Sequence, residues 1–231
     1  GYVTEATVEH SRKIDAAIFH CKATKNIHLR YFPYTDPGAQ EVSYTFHDSN
    51  FKVERGGGSQ MGLISVLGPP LDSKGTAFCS ILRFNSKRAK RVAHSTLTAE
   101  TLAATQGLDQ NHGTRDRLLE FDIYTEGLLL TDCRSLFDGL YSMTAKVGEM
   151  LVPDFFELRE ALMPWRCAEA EDYESKPTEM WWIPTETQLA DNATKVATKS
   201  NNEFLAFLRD SQFTLPRYER PRLAQRGLKL F

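Results

Sequence analysis

Cysteine is scarce and scattered. Cys21, Cys79, Cys133 and Cys167 stand far apart and form no CxxC pair, which excludes the usual zinc-site spacings and gives no disulfide framework. A reducing compartment is therefore expected. No apolar run approaches the roughly 18 residues that a membrane-spanning helix needs, and no signal-peptide pattern precedes the first helical segment. We expect an intracellular protein without a membrane partner. The chain opens on Gly-Tyr-Val, without Met, and is expected to be a segment of something longer. An excess of charge of one sign is also missing: 28 Lys and Arg face 30 Asp and Glu, for a net charge of −2. That balance argues against a general nucleic-acid binder held by bulk charge. Local clusters exist. Lys87, Arg88, Lys90 and Arg91 lie close together, and Arg217, Arg220, Arg222, Arg226 and Lys229 make the end of the chain basic. Each cluster reads either as solvated surface or as a set of backbone-phosphate contacts.

Hydrophobic periodicity supplies the elements. "VEHSRKIDAAIFHCKAT" (8–24) has helical spacing, "IHLRYFP" is a short strand candidate, and residues 33–40 form a turn-rich boundary. "EVSYTFHD" (41–48), "SQMGLISVL" (59–67) and "TAFCSILRF" (76–84) are three strands joined by short loops, as in an antiparallel meander. A helix follows, capped by Ser95 or Thr96 and running to about Phe121. "GLLLTD" (127–132) is wholly apolar, as expected of a central strand buried on both faces. "RSLFDGLYSM" and "PDFFELREALMPW" are helices, "EMWWIP" a fifth strand, and "ETQLADNATKVATK" and "NNEFLAFLRD" two more helices. This order predicts an α/β fold with a five-stranded mixed sheet, three strands antiparallel and two parallel, flanked by helices. The expected divisions are 1–40, 41–199 for the main domain, and 200–231 for a C-terminal helix and basic tail.

Four carboxylates then stand out. Asp48 ends the first strand, Glu100 lies on the helix after the third, Asp132 ends the fourth, and Asp191 lies on the helix after the fifth. Ala103, Ala104 and Gly107 follow Glu100 at helical spacing, so that face can lie close against another element and point the glutamate at an enclosed place. If the first and fourth strands are parallel neighbours, Asp48 and Asp132 end side by side in the crevice beyond the strand ends. Like charges held that close raise each other's pKa unless a cation neutralises them. A set of hard oxygen donors selects magnesium or manganese, and paired ions of that kind suit displacement at phosphorus.

The same segments resemble a known family. "VAHSTLTAETLAA" is similar to the stretch V-A-L-S-S-T-E-A-E-Y-I-A-L of the ribonuclease H domains of copia-type retrotransposons, and "TETQLADNATK" resembles their T-E-E-Q-L-A-D-x-L-T-K. "LLLTDCRSLFDGL", "TFHDSNF" and "GGGSQMGLISVL" resemble the third-acid segment, the first strand and R-R-S-T-S-G-Y-V-F-F-L. "VEHSRKIDAAIFHCKATKNIHLRYF" is similar to the helix that ends the preceding reverse transcriptase. The resemblance covers the chain to about residue 215. It implies a ribonuclease H-like fold, a metal-dependent endonuclease acting on the RNA strand of an RNA–DNA hybrid, and an upstream reverse transcriptase of the same polyprotein as partner. It also implies two Mg²⁺ ions, with Mn²⁺ as a substitute. Asp48 would bridge the ions, Asp191 would share the one that activates water, and Glu100 and Asp132 would hold the other. Lys87 and Arg88 fall where the family has S-K-K or S-K-R, a phosphate contact. Asn85 and Ser86 would reach a 2′-hydroxyl or phosphate, with a plain turn as the alternative, and Ser49 and Ser95 complete the substrate-contacting set. The work would be done in a cytoplasmic virus-like particle or in the nucleus.

Two rival readings differ in what they require. An inert copy of the fold, kept as a spacer or an interaction surface, would be expected to lose acids, and all four are present. An integrase-type enzyme would place its glutamate last, whereas here glutamate is second and Asp191 is last. The spacings between the acids, 52, 32 and 59 residues, imply insertions in the loops. Many relatives carry a histidine in the loop before the last aspartate. Here no histidine lies between His112 and Asp191, so slow turnover is expected.

Overall fold

The computed structural model describes residues 40–51, 58–142, 152–162, 178–195 and 201–221, together with isolated positions between 12 and 32. A central sheet is built from β1 (Glu41–Asn50), β2 (Gln60–Gly68), β4 (Ser80–Arg88), β5 (Thr125–Thr131) and β6 (Glu179–Trp182). Its spatial order is β4-β2-β1-β5-β6. The β1–β2 and β2–β4 pairs are antiparallel, while β1–β5 and β5–β6 are parallel. This is the expected α/β architecture, a ribonuclease H-like mixed sheet of three antiparallel strands extended by two parallel ones.

Burial follows from position in the sheet. Both faces of β1 are covered, and its eight inner residues are all buried. β5 carries the apolar Leu128, Leu129 and Leu130 into the two cores. On one face lie α1 (Thr96–Leu119), α2 (Arg134–Tyr141) and α3 (Val152–Ala161), packed through Ala104, Leu108, Leu129, Leu136, Phe155 and Leu158. On the other lie α4 (Asp191–Thr194), α5 (Asn201–Asp210) and a second small sheet of β3 (Thr76–Phe78) with β7 (Gln212–Thr214). Their core is built on Tyr44, Phe46, Ile64, Ile183, Phe207 and Phe213. The segment set apart in the sequence as 200–231 thus contributes Phe207, Phe213 and Leu215 to this core. Its Glu219 bridges Trp182 at the edge of β6, and Tyr218 stacks on Trp181 with ring centroids 4.9 Å apart.

Small residues let α1 lie close to the sheet. Ala99, Ala103 and Ala104 have no exposed surface. A Cβ at Gly107 would already touch the Cβ of His47 and a methyl of Leu129, each at 3.5 Å. Beyond Gly107 a buried polar network fixes the position of the helix. Asn111 Nδ2 donates to the Ser43 carbonyl (2.8 Å) and to Thr45 Oγ1 (3.1 Å), and Gln110 Nε2 donates to Ser65 Oγ (2.7 Å). Polar groups sealed from water must be paired, so this network rewards one register of α1 on β1 and β2.

Three expectations need correction. "TAFCSILRF" is not one strand: it breaks at Cys79, whose N–H donates to the Ser211 carbonyl, so β3 pairs with β7 while β4 stays in the main sheet. Residues 28–32 form no strand. They run over the surface, tied down by the Phe32 N–H on Ser80 Oγ (2.9 Å) and by the Phe32 ring edge-on to Phe78. "ETQLADNATKVATK" is not one helix: a 3₁₀ turn at Thr185–Thr187 precedes the short α4. Of the expected N-terminal helix, Arg12, Asp15, Ile18, Phe19 and Lys22 are helical. The remainder of that segment, Gly56 and Gly57, and Arg222, Arg226 and Lys229 lie outside the described residues. Among the described residues, no helix is long and apolar enough to cross a membrane.

Candidate active site

The parallel register of β1 and β5 runs as far as Phe46 opposite Leu130. Two residues further on, Asp48 and Asp132 leave neighbouring strands on one side of the sheet, as the alternation of strand side chains requires. α4 crosses that side and supplies Asp191. Carboxylate oxygens of Asp48, Asp132 and Asp191 all lie within 4.8 Å of one another. Glu100 reaches the same place from α1. It is buried, its Oε1 accepts the Ser49 N–H at 3.3 Å, and its charge acts on Asp48 and Asp132. The four acids singled out in the sequence are thus neighbours, three as a tight cluster and the fourth beside it.

Burial decides the electrostatics. Loss of water pushes the Asp48 carboxyl up to about 7, with the Thr194 hydroxyl and Lys195 pulling the other way and Asp191 and Asp132 adding to the rise. Burial likewise lifts Glu100 well above the usual carboxylate range, reinforced by Asp48 and Asp132. Asp132 is raised for the same first reason, opposed by Thr185 and Lys195. Several anions that resist ionising together form a site built for cations.

Whether the donors suit a metal can be judged from Glu100. Its Oε2 is sealed from solvent and has no hydrogen-bond partner among the described residues. An orphan carboxylate oxygen in such a place is costly and accounts for itself if it faces a cation. The oxygens around an octahedral Mg²⁺ stand about 3–4 Å apart, since each bond is about 2.0–2.1 Å. A 4.8 Å cluster therefore needs little contraction. The donor set fits a hard divalent ion.

Side chains not singled out in the sequence hold this arrangement. Gln188 Nε2 donates to the His47 carbonyl (2.9 Å) and the Leu130 carbonyl (3.2 Å), clamping β1 to β5 just before their acids. The Trp182 indole donates to the Asp132 carbonyl at 3.1 Å. The Thr194 hydroxyl donates to Asp48 Oδ2. Lys195 Nζ lies 2.5 Å from Asp191 Oδ1 and 3.5 Å from Asp48 Oδ2. Partial burial works against the Lys195 proton, but its bond to Asp191 and the charge of Asp48 hold it in place. A signal for Gln188, Thr194 and Lys195 was present, since all three fall on letters of the motif that carries Asp191.

The substrate-contacting candidates divide between the two faces of β4. Cross-strand register aligns Ser86 with Gly62 and Asp48, Lys87 with Met61 and Ser49, and Asn85 with Leu63 and His47. Ser86 is exposed on this edge strand, and its hydroxyl donates to the Ala193 carbonyl and accepts from Gln60 Nε2. Ser95 caps α1, its Oγ accepting the Thr98 N–H at 3.1 Å. Ser49 is buried beside Glu100. Lys87 shares its sheet face with Ser49, whereas Arg88 lies on the opposite face. Arg91 pairs with the mostly buried Asp154 at 2.5 Å. His47, although adjacent to Asp48 in sequence, points the other way, toward α1.

No family model and no curated protein matches the sequence. Among solved structures, the chain is similar to LC11-RNase H1 in complex with an RNA/DNA hybrid, at 17% identity over 69% of this chain and 97% of that one, with a TM-score of 0.43. It is similar to RNase H1 from the halophilic archaeon Halobacterium salinarum, at 16% identity over 71% and 97%, with a TM-score of 0.39. It is also similar to the protease–reverse transcriptase of prototype foamy virus, at 14% identity over 72% of this chain and 22% of that one, with a TM-score of 0.34.

Proposed function

We propose that this chain is a metal-dependent endonuclease of the ribonuclease H type, cleaving the RNA strand of RNA–DNA hybrids during reverse transcription of a retroelement. The observation that carries the reading is the meeting of Asp48, Asp132 and Asp191 within 4.8 Å, beside a buried Glu100 whose Oε2 has no partner. Asp48, Glu100, Asp132 and Asp191 would hold the divalent ions, in the order the family resemblance implies. When bound, two such ions lower the pKa of an attacking water and offset charge on the leaving oxygen.

The chain's own residues supply placement. Gln188 fixes the ends of β1 and β5, Trp182 fixes the main chain at Asp132, and α1 delivers Glu100 through a face of alanine and glycine. In this reading Lys87, on the sheet face of Ser49, would meet a phosphate of the hybrid. In this reading the upstream partner is the polymerase domain of the same polyprotein, and the work is intracellular, in a virus-like particle or the nucleus.

The deciding experiment incubates the 231-residue chain with an end-labelled hybrid in Mg²⁺ and in EDTA, beside single-stranded RNA and duplex DNA. Metal-dependent cuts confined to the RNA of the hybrid are expected, and Asp48→Asn should abolish them. An uncut hybrid in Mg²⁺ and Mn²⁺ would leave the chain an inert relative of the fold.

A further inference from the structure

Lys195 follows directly on α4, and its backbone has already left the helix. α4 ends at Thr194, and Lys195 is extended (φ −127°, ψ 144°), with its N–H on the Asp191 carbonyl at 2.9 Å. The side chain nevertheless curls back over the turn. Its ammonium touches Asp191 Oδ1 at 2.5 Å and stands 3.5 Å from Asp48 Oδ2. Those carboxylates are 3% exposed, while the lysine is 33% exposed. A monovalent cation therefore reaches into a buried anionic cluster from a position open to solvent. A lysine has a flexible four-carbon stem and a strongly hydrated head, so it can withdraw without any change in the strands or in α4.

The two oxygens it engages belong to the two acids that would share one divalent ion. An ammonium at these distances and a divalent ion on the same oxygens repel each other and compete for the same lone pairs. Without any cation, carboxylates whose oxygens lie within 4.8 Å of one another would repel each other, more strongly than in water because they are buried. We propose that Lys195 is the resident counter-cation of the acid cluster, occupying the Asp48–Asp191 position until a divalent ion displaces it into solvent. This rests on the metal-dependent reading of the cluster. It adds that the affinity of that position is set by an exchange of cations, so the site ignores low concentrations of divalent ions and stays folded without them.

The test measures Mn²⁺ binding to the full chain from the loss of the free-ion EPR signal, for wild type, Lys195→Gln, Lys195→Arg and Asp48→Asn. Lys195→Gln should bind Mn²⁺ about tenfold more tightly, a coupling of ordinary size between two linked ligands, and should melt at a lower temperature than wild type in EDTA. Lys195→Arg, which keeps the charge, should bind no more tightly than wild type. Unchanged or weaker Mn²⁺ binding by Lys195→Gln, with Asp48→Asn losing the ion, overturns the exchange and leaves the metal site standing. No Mn²⁺ binding by any of the folded chains overturns both. A second measurement needs no variant: reductive methylation of wild type should label Lys195 several-fold faster when saturating Mg²⁺ is added. A rate indifferent to Mg²⁺ overturns the proposal even if Lys195→Gln fails to fold.

Discussion

Gly62 lies directly beneath Thr194. A Cβ built on Gly62 would stand 2.8 Å from Thr194 Cγ2, 2.8 Å from Ala193 Cβ and 2.7 Å from the Ala190 carbonyl oxygen. The absent side chain is therefore the space in which α4 sits, and α4 carries Asp191 and the hydroxyl that bonds Asp48. Gly62→Ala must push backbone, since a carbonyl cannot swing away as a side-chain tip can. Overpacking of this kind destabilises by about 1–3 kcal/mol. We expect the variant to fold, melt lower and lose hybrid cleavage by more than tenfold. Melting curves and initial rates in Mg²⁺ check this, and a wild-type rate would show that Asp191 tolerates displacement.

Asp48→Asn should separate folding from chemistry. In the native state the Asp48 carboxyl is raised to about 7 from an ordinary value of 3.8, burial being the largest cause. The native state thus holds a proton that the unfolded state releases. Stability falls as pH rises between about 4 and 7, and is lowest above 7 when no divalent ion is present. The amide keeps an acceptor for Thr194 and carries no charge. In EDTA it should melt above wild type by a few degrees at pH 8, in a domain of this size about 2–4 °C per kcal/mol, with less difference at pH 5. Equal melting at pH 8 would mean that the cluster stores no repulsion.

The acids were legible because strand ends and helix faces are local properties: Asp48 follows an alternating strand, Asp132 a wholly apolar one, and Glu100 a run of small residues. The corrections arise where distant chain decides. "TAFCSILRF" alternates well enough for one strand, yet Ser211 and β7, far along the sequence, pull Phe78 and Cys79 away. Gln188 is an ordinary helix former, but its side chain bonds His47 and Leu130 carbonyls and so holds the backbone before Asp191 out of a continuous helix. The position of Lys195 against two carboxylates depends on that same interruption, which periodicity cannot see.

His47 predicts acid sensitivity of the opposite sign to that of Asp48. It has no exposed surface, neither ring nitrogen has a hydrogen-bond partner among the described residues, and burial pushes its pKa down to about 3 from 6.5. The unfolded state gains a proton that the folded state refuses. This contribution to stability is full above pH 6.5 and is lost as pH falls toward 3. Its neighbours include Leu63 and Leu129, so His47→Leu keeps the pocket apolar and removes the titration. Relative to wild type, the variant should gain up to about 2 kcal/mol between pH 7 and pH 5, at 1.36 kcal/mol per pH unit for one proton. Urea melts at the two pH values measure it, and a constant difference would show that His47 does not govern the acid limb.

Lys87 and Arg91 lie four residues apart in one basic cluster and should behave as different kinds of residue. Lys87 shares the sheet face of Ser49, whose N–H bonds Glu100, so a hybrid seated on the acids would bring phosphates within its reach. Arg91 is engaged with Asp154, whose side chain is only 12% exposed. Lys87→Gln should weaken hybrid binding, measured in Ca²⁺ to prevent cleavage, and reduce the slope of log affinity against log salt by about one, the share of a single phosphate contact. Arg91→Gln should leave that slope unchanged and lower stability by about 1–3 kcal/mol, because a largely buried carboxylate loses its charged partner. If both variants changed the slope equally, the whole cluster would be the phosphate-binding edge. If neither did, Lys87 would be solvated surface and the hybrid would have to reach the acids from the side of Trp182 and Arg217.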